Sequence, residues 1–217
     1  MATFGWPEIL FLIRAAGWTL LLTAIAFLIG GAIGGFFAIM RLSRIKILRR
    51  FAATYILVIQ SIPVLMVLFM SYYGLSVIGI ELPPFLAASA SLAIYVSAYL
   101  AEIWRGSIES VPFQQWEASS SLAHSRAQTY RYVILPQAIR ISLPPTVGFL
   151  VQLVKNTSIV SVVGFVELAR AGQLVNNATF DSFRVFGLVA LIYFAICFPL
   201  SRLSRHLEKV MNASRPH

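Results

Sequence analysis

The chain is predicted to be an all-α integral membrane protein with five transmembrane helices. Three observations carry that expectation. Of its 217 residues, 59% are hydrophobic and only 12% are charged, against about 45–50% and about 25% in an ordinary soluble domain. The apolar residues fall in long continuous runs, whereas a membrane β-barrel is built from alternating segments of about ten residues. The basic residues border those runs, so the formal net charge of +9 reads as a topology signal and not as a nucleic-acid footprint.

A helix crosses about 30 Å of hydrocarbon with about 20 apolar residues. Five runs meet that need: residues 15–40, 51–73, 82–101, 141–166 and 185–201. Ahead of the first, residues 4–13, with Trp6, Ile9, Leu10 and Phe11, read as a short helix lying in the outer interface. Within the first run, Gly30, Gly31, Gly34 and Gly35 form two overlapping small-xxx-small pairs that let another helix approach closely. Pro63 removes a backbone donor near the middle of the second run and predicts a kink there. Pro144 and Pro145 are expected to mark the start of the fourth helix. The fifth run is only 17 residues long but can extend into its flanks.

Short loops rich in Lys and Arg stay in the cytoplasm. Thirteen of the 17 basic residues lie in three segments. Arg41, Arg44, Lys46, Arg49 and Arg50 follow the first run; Arg105, Arg126, Arg131 and Arg140 follow the third; Arg202, Arg205, Lys209 and Arg215 follow the fifth. The amino terminus is therefore expected outside and the carboxyl terminus in the cytoplasm. Glu167, Arg170 and Asp181 on the outer side read either as solvated loop charges or as contacts for an external protein. The amino terminus lacks the basic leader and the short apolar core of a cleavable signal. Chemistry of other kinds finds little support. Cys197 is the single cysteine, and His124, His206 and His217 lack metal-ligand spacing. No nucleophile–base pair is apparent either, so neither a metal site nor an enzyme is expected.

Two segments exceed what hydropathy explains. Residues 102–140 form a cytoplasmic stretch far longer than a helix–helix connection needs. A short helix from Trp116 to about Ser125, with small residues Ala118, Ser119, Ser120, Ser121 and Ala123 around Leu122, would fit a groove on another protein or pack on its own bundle. The second is Val154-Lys155-Asn156-Thr157-Ser158, a polar run inside the fourth span. Lys155 lies about ten residues, or roughly 15 Å, beyond the two prolines and thus near the midplane. A central Lys costs about 2.5–3.5 kcal/mol, which apolar neighbours at about −0.3 to −0.6 kcal/mol each offset. Such a charge cannot face lipid cheaply. Either it lines a substrate pathway where the helix breaks, or it is a buried Lys tied to carbonyls or a neighbouring acid.

These segments resemble a known family. Glu117-Ala118-Ser119-x3-Ala123-x9-Val133-x-Leu135-Pro136 resembles the Glu-Ala-Ala-x3-Gly-x9-Ile-x-Leu-Pro loop of ABC importer permeases. The stretches 98–108, 135–140 and 155–162 are similar to polar amino acid permeases of the histidine, glutamine and arginine type, and the likeness runs over almost the whole chain. The resemblance implies a single transmembrane permease domain over 1–217, in the ABC importer permease fold with a cytoplasmic coupling helix. It implies residence in the bacterial cytoplasmic (inner) membrane and inward transport of a polar or charged amino acid. Expected partners are an ABC ATPase subunit dimer, a second permease subunit of the same or similar sequence, and an external solute-binding protein. The chain has no G-x-x-x-x-G-K-[ST] loop; ATP and Mg would be bound by the partner ATPase, and no cofactor is expected here.

By the same resemblance, Glu117, Ala118, Ser119, Leu122 and Ala123 would couple to the ATPase, with Leu135 and Pro136 closing the loop. Lys155, Asn156, Thr157 and Ser158 would lie beside the substrate path, while Glu102 and Arg105 would order the loop. The chain departs from the pattern at two places. Ser119 and Ala123 stand for the motif's second Ala and its Gly, so the turn must form without glycine. Gln60 precedes Ser61-Ile62-Pro63 where relatives often carry Arg. The alternative reading is a self-sufficient secondary transporter or channel for small polar solutes. Such folds usually contain paired repeats, into which five spans with one long asymmetric loop do not divide.

Overall fold

The computed structural model describes residues 4–213, so Arg215 and His217 lie outside the described residues. Its helices, in order, are α1 (Trp6–Arg41), α2 (Lys46–Ser61), α3 (Val64–Val77), α4 (Pro84–Glu109), α5 (Phe113–Ser121), α6 (Arg126–Val163), α7 (Leu168–Thr179) and α8 (Ser182–Ala213). Four of them, α1, α4, α6 and α8, are long and apolar enough to cross a membrane. The pair α2 and α3 makes a fifth only if the two are counted as one bent span.

α1 has 36 residues, or about 54 Å at 1.5 Å per residue. The separate interfacial helix expected over residues 4–13 is therefore corrected: from Trp6 onward it is the first two turns of α1. Arg14 interrupts the hydropathy, but a charge does not break a helix. Leu12, Ala15 and Ala16 are buried against Leu168, Ala171, Val185 and Val189, which form a core at that end of the bundle.

The main core surrounds α4. Leu92, Tyr95, Val96 and Leu100 pack with Leu22 and Ala26 of α1, Leu68 of α3, and Phe149, Leu153, Val160 and Val163 of α6. Gly30 and Gly34 are what let α1 come so near. A Cβ on Gly30 would fall 2.6 Å from the Ala93 carbonyl oxygen, and one on Gly34 would fall 2.9 Å from that of Ser97. α2 leans on the same helix through Tyr55, which stacks on Phe37 at 4.0 Å and shares a 2.6 Å hydrogen bond with Ser97 Oγ.

The kink expected at Pro63 is a sharp bend of 103° between α2 and α3. Ile62, held extended by the proline that follows it (φ −106°, ψ 131°), ends α2. Pro144 and Pro145 do not start the fourth span; they lie inside the helix Leu135–Asn156. The chain is helical from Arg126, and Pro136 is preceded by a π-helical turn, Thr129–Ile134. The wider turn suits a proline, which has no N–H to return to it. Much of the stretch 102–140 is thus helix, because α4 runs on to Glu109 and α6 begins at Arg126.

Candidate functional site

α5 is fastened by one face and bare on the other. Trp116 meets Tyr130 edge-on at 5.2 Å and joins a small core of Val111, Ile134 and Ala138. Ser119 is buried, its Oγ bonded to Thr129 Oγ1 at 2.9 Å and to His124 Nδ1 at 3.1 Å. On the bare face, Phe113 and Leu122 are 70% and 72% exposed, and Glu117 and Ala118 are exposed with them. One face therefore packs on the bundle, while the other is exposed and covered by nothing among the described residues.

The turn that closes α5 does form without glycine. Ala123 takes a left-handed conformation, φ 55°. The His124 amide donates to the Ser119 carbonyl at 3.3 Å and the Ala123 amide to that of Ser120 at 3.0 Å, the bond pair of a Schellman cap. The apolar contact that usually accompanies such a cap is replaced here by the Ser119–His124 side-chain bond. Ser125 and Gln128 then form a reciprocal capping box that starts α6. Leu135 and Pro136, expected to close the loop, are exposed and continue α6 without a break.

The second predicted segment lies where α6 tightens. Thr157–Val163 is 3-10 helix and ends at Gly164, φ 86°. Lys155 is exposed, Asn156 and Ser158 are half-buried, and Thr157 is fully buried with its hydroxyl donating to the Val154 carbonyl at 2.7 Å. Because the prolines do not mark the helix start, Lys155 lies 20 residues beyond Leu135 and eight before Val163, past the middle of the helix. No carboxylate forms an ion pair with Lys155 among the described residues. Beside it, Gln152 Nε2 donates to Tyr95 Oη at 3.4 Å. Tyr95 and Tyr99 pack with ring centroids 4.5 Å apart, and Tyr99 stacks on Phe149 at 5.3 Å. Gln60 is committed to α4, donating from Nε2 to the Ala98 carbonyl at 3.3 Å.

The family model described as "Binding-protein-dependent transport system inner membrane component" matches residues 30–212. The chain belongs to this family. It is 39% identical over 199 residues to the Bacillus subtilis protein named "Probable amino-acid ABC transporter permease protein YckA", covering 92% of this chain and 88% of the relative. It is 38% identical over 196 residues to "Probable glutamine ABC transporter permease protein GlnM" of the same organism, covering 90% and 91%. The solved structure titled "Crystal structure of an amino acid ABC transporter with histidines" superposes with a TM-score of 0.88 at 36% identity, over 96% of this chain and 99% of the other.

As a transport component that depends on a binding protein, the permease is not a self-sufficient carrier, and the secondary-transporter reading is set aside. Its fold is that of the ABC importer permeases. Sequence reasoning missed Tyr95, Tyr99 and Gln152, which lie beside the polar run. The tyrosines read as filler in an apolar span; Tyr95 is in fact buried, and its contact with Gln152 follows only from how α4 meets α6. Glu167 also departs from expectation. Instead of a solvated loop charge it is a fully buried cap of α7, accepting from the Ala169 and Arg170 amides at 2.9 and 2.8 Å and from Tyr193 Oη at 3.0 Å. Its signal was weak: Glu167 stands immediately ahead of the amphipathic helix, in the N-cap position, but that position favours Ser, Thr, Asp and Asn. Arg105 pairs with Glu102 and Glu109 on its own helix, ordering the end of α4.

Proposed function

We propose that the permease carries a polar amino acid inward across the bacterial inner membrane, its amino terminus outside and its carboxyl terminus in the cytoplasm. Two such chains, the same or similar, pair around the path. A dimer of ATPase subunits binds ATP and Mg and grips the bare face of each α5 through Glu117, Ala118, Leu122 and the Ala123 turn. An external solute-binding protein delivers the substrate. The path runs beside Lys155, Asn156, Thr157 and Ser158, with Gln152 one turn earlier on the same helix and bonded to Tyr95 of α4. The whole of residues 1–217 acts as one transmembrane domain.

The observation that carries this reading is the two-faced α5. A helix locked inward by Ser119 and Trp116 while exposing Phe113, Glu117 and Leu122 is built to pass force between the bundle and a partner. The amino acid class is supported by the names of the relatives, one of glutamine and one of amino acids generally, and by a structure with histidines.

Reconstitution of the complete complex in vesicles tests it. Glu117→Ala combined with Leu122→Ala is expected to lower amino acid uptake and binding-protein-stimulated ATP hydrolysis about tenfold or more, the cost of losing an interface anchor of about 2 kcal/mol, while the chain still inserts. Unchanged coupling would remove α5 from its assigned role. Lys155→Met is expected to lower uptake with assembly intact, and full uptake would place Lys155 off the path.

A further inference from the structure

Away from α5 and the polar run, one face of α8 carries a pattern that the transport reading does not use. Leu191, Phe194 and Phe198 are exposed, and the two phenylalanine rings stack at 5.0 Å. Arg202, Arg205 and Lys209 follow at spacings of three or four residues, so they continue the same face of the helix. The Arg202 guanidinium lies over the Phe198 ring at 5.7 Å. Phe198 and the three basic residues, with Leu203 and His206, line an open hollow of about 630 Å³. The opposite face of α8 is turned to the bundle, where Cys197 is buried beside Val151 and Val154 and Ser204 Oγ donates to the Pro144 carbonyl at 2.9 Å.

Topology signals count charges near the end of a span regardless of which face bears them. Here the charges are in register with an exposed aromatic stripe. The ion pairs among the described residues join Arg105 to Glu102 and Glu109, and Arg184 to Asp181, so none neutralises this cluster, although Glu208 is in the same turn. An apolar stripe in the hydrocarbon that ends in forked cationic donors at its boundary has the shape and charge of a phospholipid site. A second copy of the chain is disfavoured as occupant, since a twofold contact would set this cluster against itself.

We infer that this face of α8 binds an anionic phospholipid, with the phosphate held by Arg202, Arg205 and Lys209 and an acyl chain laid along Phe194 and Phe198. The site belongs to the leaflet at the carboxyl-terminal end of α8.

The test uses the whole purified complex, exchanged into equal parts of phosphatidylglycerol and phosphatidylcholine, with retained lipid identified by native mass spectrometry. The wild type is expected to retain phosphatidylglycerol preferentially. Arg202→Gln, Arg205→Gln and Lys209→Gln together are expected to reduce that preference about tenfold or more, given the contribution of each basic residue near an anionic surface. Lys209→Arg should keep it. If the triple variant does not assemble, Arg202→Gln alone is expected to lower retention several-fold. Undiminished retention in the assembled variant would overturn the proposal. So would displacement of the lipid by millimolar inorganic phosphate, which would mark a site for a free anion. A photo-crosslinker at position 205 is expected to capture lipid, and exclusive capture of another protein chain would overturn the assignment.

Discussion

Ala123 occupies a place where the Cβ of an L residue crowds its own backbone, at a cost of roughly 1–2 kcal/mol, and side-chain bonds among Ser119, His124 and Thr129 hold the turn against it. Ala123→Gly relieves the crowding but adds freedom to the unfolded chain. The net expectation is a gain of about 0.5–1 kcal/mol, read as a higher unfolding midpoint of the purified complex; a lower midpoint would show that the turn is not limited by its backbone. Glu167 presents a different balance. Burial pushes its carboxyl above the ordinary range, while the Ala169 and Arg170 amides and the Tyr193 and Thr19 hydroxyls pull the other way. The folded protein then holds the proton more tightly than the unfolded chain does. The stability this group contributes is full below the ordinary carboxylate range and is lost as pH rises through its raised folded value. Glu167→Gln should remove that component, so the difference in unfolding midpoint between wild type and variant should change in the variant's favour from acid to neutral pH. A difference independent of pH would mean that the carboxyl does not titrate there. Glu167→Ala, which in addition strands two amides and a tyrosine hydroxyl, is expected to cost about 1–3 kcal/mol more than Glu167→Gln.

The contact between α1 and α4 rests on glycines that do not all serve it equally. Gly30 and Gly34 meet backbone carbonyls of α4, whereas Gly31 and Gly35 have only Leu100 and Trp104 side-chain atoms beyond 3.5 Å or at it, and Gly17 has nothing within 4 Å. Gly30→Ala is therefore expected to destabilise by about 1–3 kcal/mol through overpacking. Gly17→Ala should be neutral or stabilising by up to about 1 kcal/mol from helix propensity. Thermal unfolding of both variants checks the pair, and equal effects would mean that α1 and α4 are less closely apposed. The small-xxx-small spacing made a close approach legible, but not which helix approaches, because residue type sets the allowable distance and only the fold sets the neighbour. Helix ends were less legible still. Proline at a helix start and proline inside a helix look alike in sequence; here Pro144 is interior, in a helix already under way from Leu135 and hooked to α8 by Ser204. α1 reads as two elements only because Arg14 interrupts hydropathy. The short helix α5 was legible because its residues are contiguous, and the contact of Tyr95 with Gln152 was not, because it joins α4 to α6.

Three basic segments separated along the chain converge at one end of the bundle. Arg41 at the end of α1 lies close enough to Glu102 to act on its carboxyl. Trp104 of α4 donates to Thr146 Oγ1 of α6 at 3.1 Å, and Ser204 of α8 reaches Pro144 at the same level. α5, between α4 and α6, belongs to that end, while Leu12, Leu168 and Val185 mark the opposite one. The fold thus gathers onto a single surface the charges whose bias sets orientation, and it puts the helix proposed for ATPase contact among them. Sidedness of the whole molecule then follows from a single pair of labels. In a Cys197→Ser background, which removes the buried thiol, Glu81→Cys in the exposed α3–α4 connection is expected to react with an impermeant maleimide on intact spheroplasts. Ser121→Cys, exposed at the end of α5, is expected to react only after the membrane is opened. The reverse pattern would turn the molecule over and leave an ATP-driven partner on the wrong side of the membrane from its fuel. Equal labelling of both positions on intact spheroplasts would mean that the chain between them does not cross the bilayer, against the 26-residue apolar helix α4 that joins them.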